Sequence, residues 1–229
     1  MTYKNFKIIF IAVLVSLLFG FGSASAQSSL EFLTSWQAQN YAPLWYGGKT
    51  MPIPGSKVDV NLELLNSGKP VDLSWRTIRW YVNDELVKNE DDGLGITSLE
   101  IIVPNGSNRI GVRTAILNYG GQTLNNTVYI PVVSPEVVID SPYSGNKIKA
   151  GLSVFEAVPF FFNILNKSDL TIEWLANSNK AGGGEGDPWK LELGVNNSKS
   201  GAKINLTASA KNPLGLLEMA SQNIILEMK

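Results

Sequence analysis

From residue 57 onward, apolar and polar side chains alternate one for one. Val58, Val60, Leu62 and Leu64 interleave with Lys57, Asp59, Asn61 and Glu63. A period of two sorts side chains onto opposite faces of an extended chain, so this stretch is predicted to be a strand with one buried and one wet face. Ile110, Val112, Thr114 and Ile116 repeat the pattern, as do Ile204, Leu206, Ala208 and Ala210. Further strands are predicted at 80–82, 86–87, 99–103, 124–133, 137–140, 155–163, 171–176, 189–195 and 224–228. Turn chemistry separates them: Pro52, Pro54 and Gly55, then Asn66-Ser67-Gly68, the tight hairpin Asn83-Asp84, and Asn118-Tyr119-Gly120-Gly121. No long stretch carries a helical stripe, although 30–39 has room for a short turn of helix. Many short strands bounded by turns predict an all-β sandwich with Greek-key connections.

The chain repeats itself at an offset of 94 residues. Thr77-Ile78-Arg79-Trp80-Tyr81-Val82-Asn83 returns as Thr171-Ile172-Glu173-Trp174-Leu175-Ala176-Asn177. Ile110 pairs with Ile204, Val112 with Leu206, Asn118 with Asn212 and Gly121 with Gly215 at the same offset. Solenoid repeats run to about 20–50 residues, so this period is that of a whole small domain. Two copies of one fold in tandem are expected, with units at 27–134 and 135–229. Pro131 and Pro135 favour an extended connection near Ser134-Pro135. Without a Gly/Ser-rich linker, the joint is expected to be short and stiff. The recurring tryptophans, Trp80 and Trp174, are assigned to the cores.

A strand carrying Ile-x-Trp, a strand ending in Asn-x-x-Gly and a closing strand together resemble the bacterial immunoglobulin-like superfamily. Within it the polycystic-kidney-disease and fibronectin type III modules are most similar. The resemblance covers both units. It implies two tandem immunoglobulin-like antiparallel β-sandwiches, with Trp80 and Trp174 on the C strands and 118–121 and 212–215 at the F–G hairpins. The paired cysteines of antibody domains and the Gly-Asp-Gly turn of the polycystic-kidney-disease modules are both missing.

The first 26 residues read as an address. Lys4 and Lys7 precede an apolar run at 8–21, and Gly22-Ser23-Ala24-Ser25-Ala26 places small residues as Ala-x-Ala. That order is a secretory signal peptide cut after Ala26, since the run is shorter than the roughly 17–25 residues that span a bilayer. Position 27 is Gln, which excludes a lipid-modified cysteine there. Removal of the leader leaves no transmembrane segment in the mature chain. With Lys4 and Lys7 gone, 17 basic residues face 20 acidic ones, a net charge of −3. This balance argues against nucleic acid as a partner. Cysteine is absent, so an exported chain must be held by its cores. That absence fits a bacterial exported protein better than an animal extracellular domain.

Histidine is absent as well. This removes Ser-His-Asp machinery, imidazole bases and the usual zinc sites, while the lack of cysteine removes thiol nucleophiles. No spacing brings two carboxylates into one pocket, so no catalytic residues, no metal and no cofactor are expected, and the chain is read as non-enzymatic. Glu90-Asp91-Asp92, followed by Gly93 and Gly95, offers oxygen ligands for Ca²⁺ but reads more simply as a solvated acidic loop. The glycine run 182–187 reads as a loop between strands. Phe160-Phe161-Phe162 is expected to alternate across a strand, with one face covering the joint.

Trp36, Tyr41, Trp45 and Tyr46 form the most informative local cluster, broken by Pro43, Gly47 and Gly48. Exposed, they would stack on sugar rings or anchor a protein partner. Packed, they would cap the open end of the first sandwich. The leading expectation is an exported, non-enzymatic binding or structural module at the bacterial cell surface, with adhesion or an accessory role in a surface assembly implied by resemblance. The partner would be a surface protein or glycan. Two alternatives stand beside it. One is carbohydrate binding through the four aromatics; the other is assembly by β-strand addition, with 30–36 as the donor.

Overall fold

The computed structural model describes residues 29–182, 186–196, 200–215 and 218–229. The leader expected at 1–26, and 183–185 of the glycine run, lie outside the described residues. The first half forms β1 (Leu30–Ala38), β2 (Lys57–Asn66), β3 (Lys69–Pro70), β4 (Ile78–Val82), β5 (Glu85–Lys88), β6 (Ser98–Ile102), β7 (Arg109–Tyr119) and β8 (Gln122–Pro131). The second half forms β9 (Glu136–Asp140), β10 (Lys147–Ile148), β11 (Gly151–Phe160), β12 (Thr171–Ala176), β13 (Asn179–Ala181), β14 (Lys190–Val195), β15 (Lys203–Lys211) and β16 (Met219–Met228).

Alternation decides which face each strand buries. Along β2, Val58, Val60, Leu62 and Leu64 are buried while Lys57, Asn61 and Glu63 are exposed. In the first half, β2 is flanked by β1 and β6, with β3 extending it, and this sheet faces β5-β4-β7-β8. In the second half, β9-β11-β14 faces β10-β16-β15-β12-β13. Named A, B, C, C′, E, F and G in chain order, the main strands divide as A-B-E against C′-C-F-G in both halves. Each pair of sheets encloses its own core, one around Trp80 and one around Trp174.

The repeated residues hold equivalent positions. Trp80 and Trp174 are buried on the C strands, and each indole N–H donates to a backbone carbonyl ahead of strand E, Trp80 to Ile96 at 2.8 Å and Trp174 to Pro188 at 3.1 Å. A buried indole needs such an acceptor. The hairpins after them turn at Asn83-Asp84 and Asn177-Ser178, all four with positive φ, as a type I′ turn demands. Asn83 exchanges backbone and side-chain hydrogen bonds with Gly111, and Asn177 does the same with Asn205. The recurring asparagine therefore fastens the C–C′ hairpin to strand F in each copy.

Two expectations need correction. Residues 30–38 form strand β1, not a turn of helix: Phe32, Thr34, Trp36 and Ala38 are half-buried or buried, and Glu31, Leu33, Ser35 and Gln37 are exposed, a period of two. β1 pairs with β2 along its whole length, from Leu30↔Asn66 to Ala38↔Val58, which supplies the hydrogen bonds a short helix would lack. The strand expected at 155–163 ends at Phe160, because Phe161 has φ +65° and breaks the alternation. The long strands pair antiparallel as expected, and the two-residue β10 adds a short parallel edge to the end of β16 through Lys147↔Glu227 and Ile148↔Met228. Two-residue strands such as β3 and β10 are too short to leave a periodic trace.

Candidate partner-binding surface at the domain joint

The connection between β1 and β2, residues 39–56, carries three of the four candidate aromatics. It is tied to the first sandwich by the Gly55 N–H on Val103 O at 2.9 Å. It lies against the second sandwich. The backbone N–H of Tyr41 donates to Phe162 O at 2.8 Å and that of Phe161 donates to Tyr41 O at 2.7 Å. Phe162 turns into the second core, while Phe160 and Phe161 pack with Ile53, Tyr46, Met51 and Val133 in a separate cluster at the joint. The left-handed backbone at Phe161 makes this split. Regular alternation would have placed Phe160 and Phe162 together on one face.

Aromatic edges lock the cluster. Tyr46 meets Phe160 and Phe161 at centroid distances of 5.5 and 5.9 Å, both at 71°, and Trp45 meets Phe160 at 6.0 Å and 82°. These are the edge-to-face geometries favoured by ring quadrupoles. Asn163 is the polar counterpart. Its Oδ1 accepts from Asn40 Nδ2 at 3.0 Å and Ser56 Oγ at 2.9 Å, its Nδ2 donates to Pro54 O at 3.0 Å, and its backbone N–H donates to the Glu218 carboxylate. Glu218 is held in turn by Asn212 Nδ2 at 3.0 Å. The connection after β8 is fastened too, with Val132 N–H on Asn108 O and Val133 N–H on Pro52 O.

The four candidate aromatics thus have separate fates. Trp36, on β1, is half-buried against the first core with the Lys49 ammonium 3.4 Å from its ring centroid. Burial lowers the pKa of Lys49. Tyr41 is half-buried at the joint, and burial, with the nearby Glu156 charge, raises its phenol pKa. Tyr46 belongs to the joint cluster. Only Trp45 faces water, 71% exposed beside a fully exposed Leu44. Trp75 is also outward, 82% exposed, in the turn before β4. The four therefore do not assemble into one flat row.

The acidic loop is internally engaged. Glu90 receives Arg79 Nε at 2.8 Å and Nη2 at 2.5 Å, and Asp92 receives Lys88 Nζ at 2.8 Å and the Asn89 N–H at 2.9 Å. Among the described residues there is no group of three or more metal-ligating side chains. The Arg79 fork holds the Glu90 carboxyl at a pKa of about 2 against an ordinary 4.5. A carboxyl depressed on folding stabilises the folded state fully above its unfolded value and loses that contribution as pH falls through its folded one. The Glu90 pair is therefore complete above pH 4.5 and is lost as pH falls through about 2. Side-chain NMR titration of Glu90 should show that low midpoint, and Arg79→Gln should return it toward 4.5.

Asn40, Ser56, Asn163 and Glu218 escaped the sequence reading because isolated polar residues in turns carry no periodic signal. The visible pointers to the joint were the phenylalanine triplet and the prolines Pro131 and Pro135.

No family model matches the chain, and no curated protein matches it. It is similar to solved structures of tandem sandwich domains. The fibronectin(III)-like modules of Clostridium thermocellum CbhA are 11% identical, with a TM-score of 0.29, over 85% of this chain and 93% of that one. The N-terminal Ig1-2 module of the Drosophila receptor protein tyrosine phosphatase DLAR is 14% identical, with a TM-score of 0.26, over 86% and 98%. Three N-terminal domains of the bacteriophage RB49 outer capsid protein Hoc are 12% identical, with a TM-score of 0.31, over 87% and 70%. The strand order itself, A-B-E against C′-C-F-G around a C-strand tryptophan in each half, makes this chain a tandem pair of β-sandwiches with the immunoglobulin-like fold.

Proposed function

We propose that the chain is an exported, non-enzymatic module whose two sandwiches are held in a fixed relation to present a contact surface to a protein or glycan partner at a bacterial cell surface. The observation that carries this reading is the 39–56 connection. Tyr41, Tyr46 and Ile53 pin it to the second sandwich, while Leu44 and Trp45 between them stand in water. A segment anchored on both flanks and apolar at its tip is preorganised to bind, because little conformational freedom remains to be lost. Export is supported by the leader pattern at 1–26, and no helix among the described residues is long and apolar enough to cross a membrane. Glycan stacking on this surface would rest on Trp45, since Trp36, Tyr41 and Tyr46 are engaged elsewhere.

The test is Trp45→Ala in residues 27–229. Its stability should fall by no more than about 1.5 kcal/mol, the scale of its one edge-to-face contact, with Phe160. Retention of the purified protein on intact cells of the producing bacterium should fall. Unchanged retention would remove Trp45 from the contact. Recovery of the full chain from the cytoplasm, or hydrolytic turnover abolished by one carboxylate substitution, would overturn the reading as a whole.

A further inference from the structure

The four arginines of the chain, Arg76, Arg79, Arg109 and Arg113, all lie in the first sandwich, on β4 and β7 or just before β4. Three stand over tyrosine rings: Arg113 lies 3.6 Å from the Tyr81 centroid, Arg109 5.0 Å from that of Tyr129 and Arg76 5.4 Å from that of Tyr119. Arg79 is bound to Glu90. Neither Arg109 nor Arg113 has a carboxylate partner among the described residues. The registers Tyr81↔Arg113, Arg113↔Thr127 and Gly111↔Tyr129 place these groups on the outer face of the C′-C-F-G sheet. Gly111 forms the floor, where an added Cβ would stand 3.4 Å from the Tyr129 ring. Above it, Asn83, Asp84, Arg109, Arg113, Thr127 and Tyr129 line a cleft of about 300 Å³.

The second sandwich is an internal control. At the offset of 94, Tyr81, Arg109, Gly111, Arg113 and Tyr129 become Leu175, Lys203, Asn205, Thr207 and Asn223. There the Asn223 amide donates to the side chains of Asn205 and Thr207, so that face satisfies its own polar groups. The same scaffold carries no guanidinium and no ring at these positions.

We infer that the cleft around Arg109, Arg113 and Tyr129 binds a carboxylate-bearing polysaccharide, an inference that rests on the reading of the chain as an exported binding module. A guanidinium stacked on a ring keeps its in-plane N–H edge free for bidentate contact with a carboxylate. Tyr129, 61% exposed, offers a face for a sugar ring. Asn83, Thr127 and Asp84 add amide, hydroxyl and carboxylate partners for sugar hydroxyls. Asp84 also keeps the cleft from being strongly cationic, and the mature chain is net negative. A densely charged polyanion such as nucleic acid needs a basic footprint instead. A hydroxyl-rich polymer with one carboxylate per sugar matches the cleft.

The experiment is affinity electrophoresis of residues 27–229 in gels containing sodium polygalacturonate, its fully methyl-esterified form, or polyglutamate. Polygalacturonate should retard the protein and the methyl ester should not. The double variant Arg109→Gln, Arg113→Gln should bind at least about tenfold more weakly, the scale of lost charge-assisted hydrogen bonds. Tyr129→Ala should weaken binding without changing the melting temperature. The variant Arg109→Lys, Arg113→Lys keeps charge and fold while losing the fork, and it should also bind more weakly. Equal retardation by the ester, no retardation at all, or undiminished binding by both double variants overturns the inference. Retardation by polyglutamate as strong as by polygalacturonate overturns the sugar assignment. An exported chain that ignores polygalacturonate sinks this inference alone, whereas a cytoplasmic chain sinks the reading beneath it.

Discussion

Trp174→Ala will destabilise the second sandwich by about 3–5 kcal/mol, the cost of truncating a fully packed tryptophan. Trp174 is 2% exposed at the centre of a core that includes Phe155, Phe162, Leu191 and Leu206. The substitution also leaves the Pro188 carbonyl without its indole donor. Small domains hold only about 5–15 kcal/mol in all, so the loss is a large share of the total. Trp80→Ala should have the same effect on the first sandwich, since its indole is fully buried and bonded to Ile96. Urea unfolding followed by far-ultraviolet circular dichroism measures both, with no reliance on tryptophan fluorescence. A loss below about 1 kcal/mol for either variant would contradict the central placement of these rings.

Asn163→Ala will uncouple the two sandwiches while leaving each core intact. The substitution deletes three side-chain hydrogen bonds, to Asn40, Ser56 and Pro54, all from the second sandwich to the first. At roughly 1 kcal/mol each, and more where a partner is left unsatisfied, the coupling should fall by about 2–4 kcal/mol. Calorimetry should resolve one cooperative transition in the parent and two in the variant. Asn163→Asp is the sharper comparison. It keeps the acceptor for Asn40 and Ser56, loses the donor to Pro54, and adds negative charge close to Glu218. It should fall between parent and alanine variant. A single transition at the parent temperature in both variants would mean that the aromatic cluster and the Tyr41 backbone hydrogen bonds to Phe161 and Phe162 set the joint without Asn163.

Much of the fold was legible because burial leaves a local mark. The alternation at 57–64 and 109–116 placed β2 and β7 to within two or three residues at their ends, and the repeat at 94 paired the two C strands correctly. Its recurring Asn83 and Asn177 proved to be structural, each tied to strand F across 28 residues. The period of β1 was masked, because exposed Leu33 stands beside half-buried Phe32 and the edge strand buries only one face partially. Phe161 was unreadable for a different reason: a bulky residue in the left-handed region is held there by its surroundings, and nothing in its type announces it.

The candidate aromatics show the same division. Composition marked Trp36, Tyr41, Trp45 and Tyr46 as a group, and only packing separated Trp45 from the rest. The arginines were equally visible as residues and equally silent about their arrangement, since Arg113 meets Tyr81 only across a β-ladder. By itself the sequence determined most of the longer strands, the two cores around Trp80 and Trp174, and the absence of histidine and cysteine chemistry. These follow from periodicity and composition, which act within a few residues or across the whole chain. The tertiary structure alone decided the joint, the exposure of Leu44 and Trp45, and the stacked guanidinium face. Those depend on pairings such as Asn40 with Asn163, 123 residues apart, which no local pattern encodes.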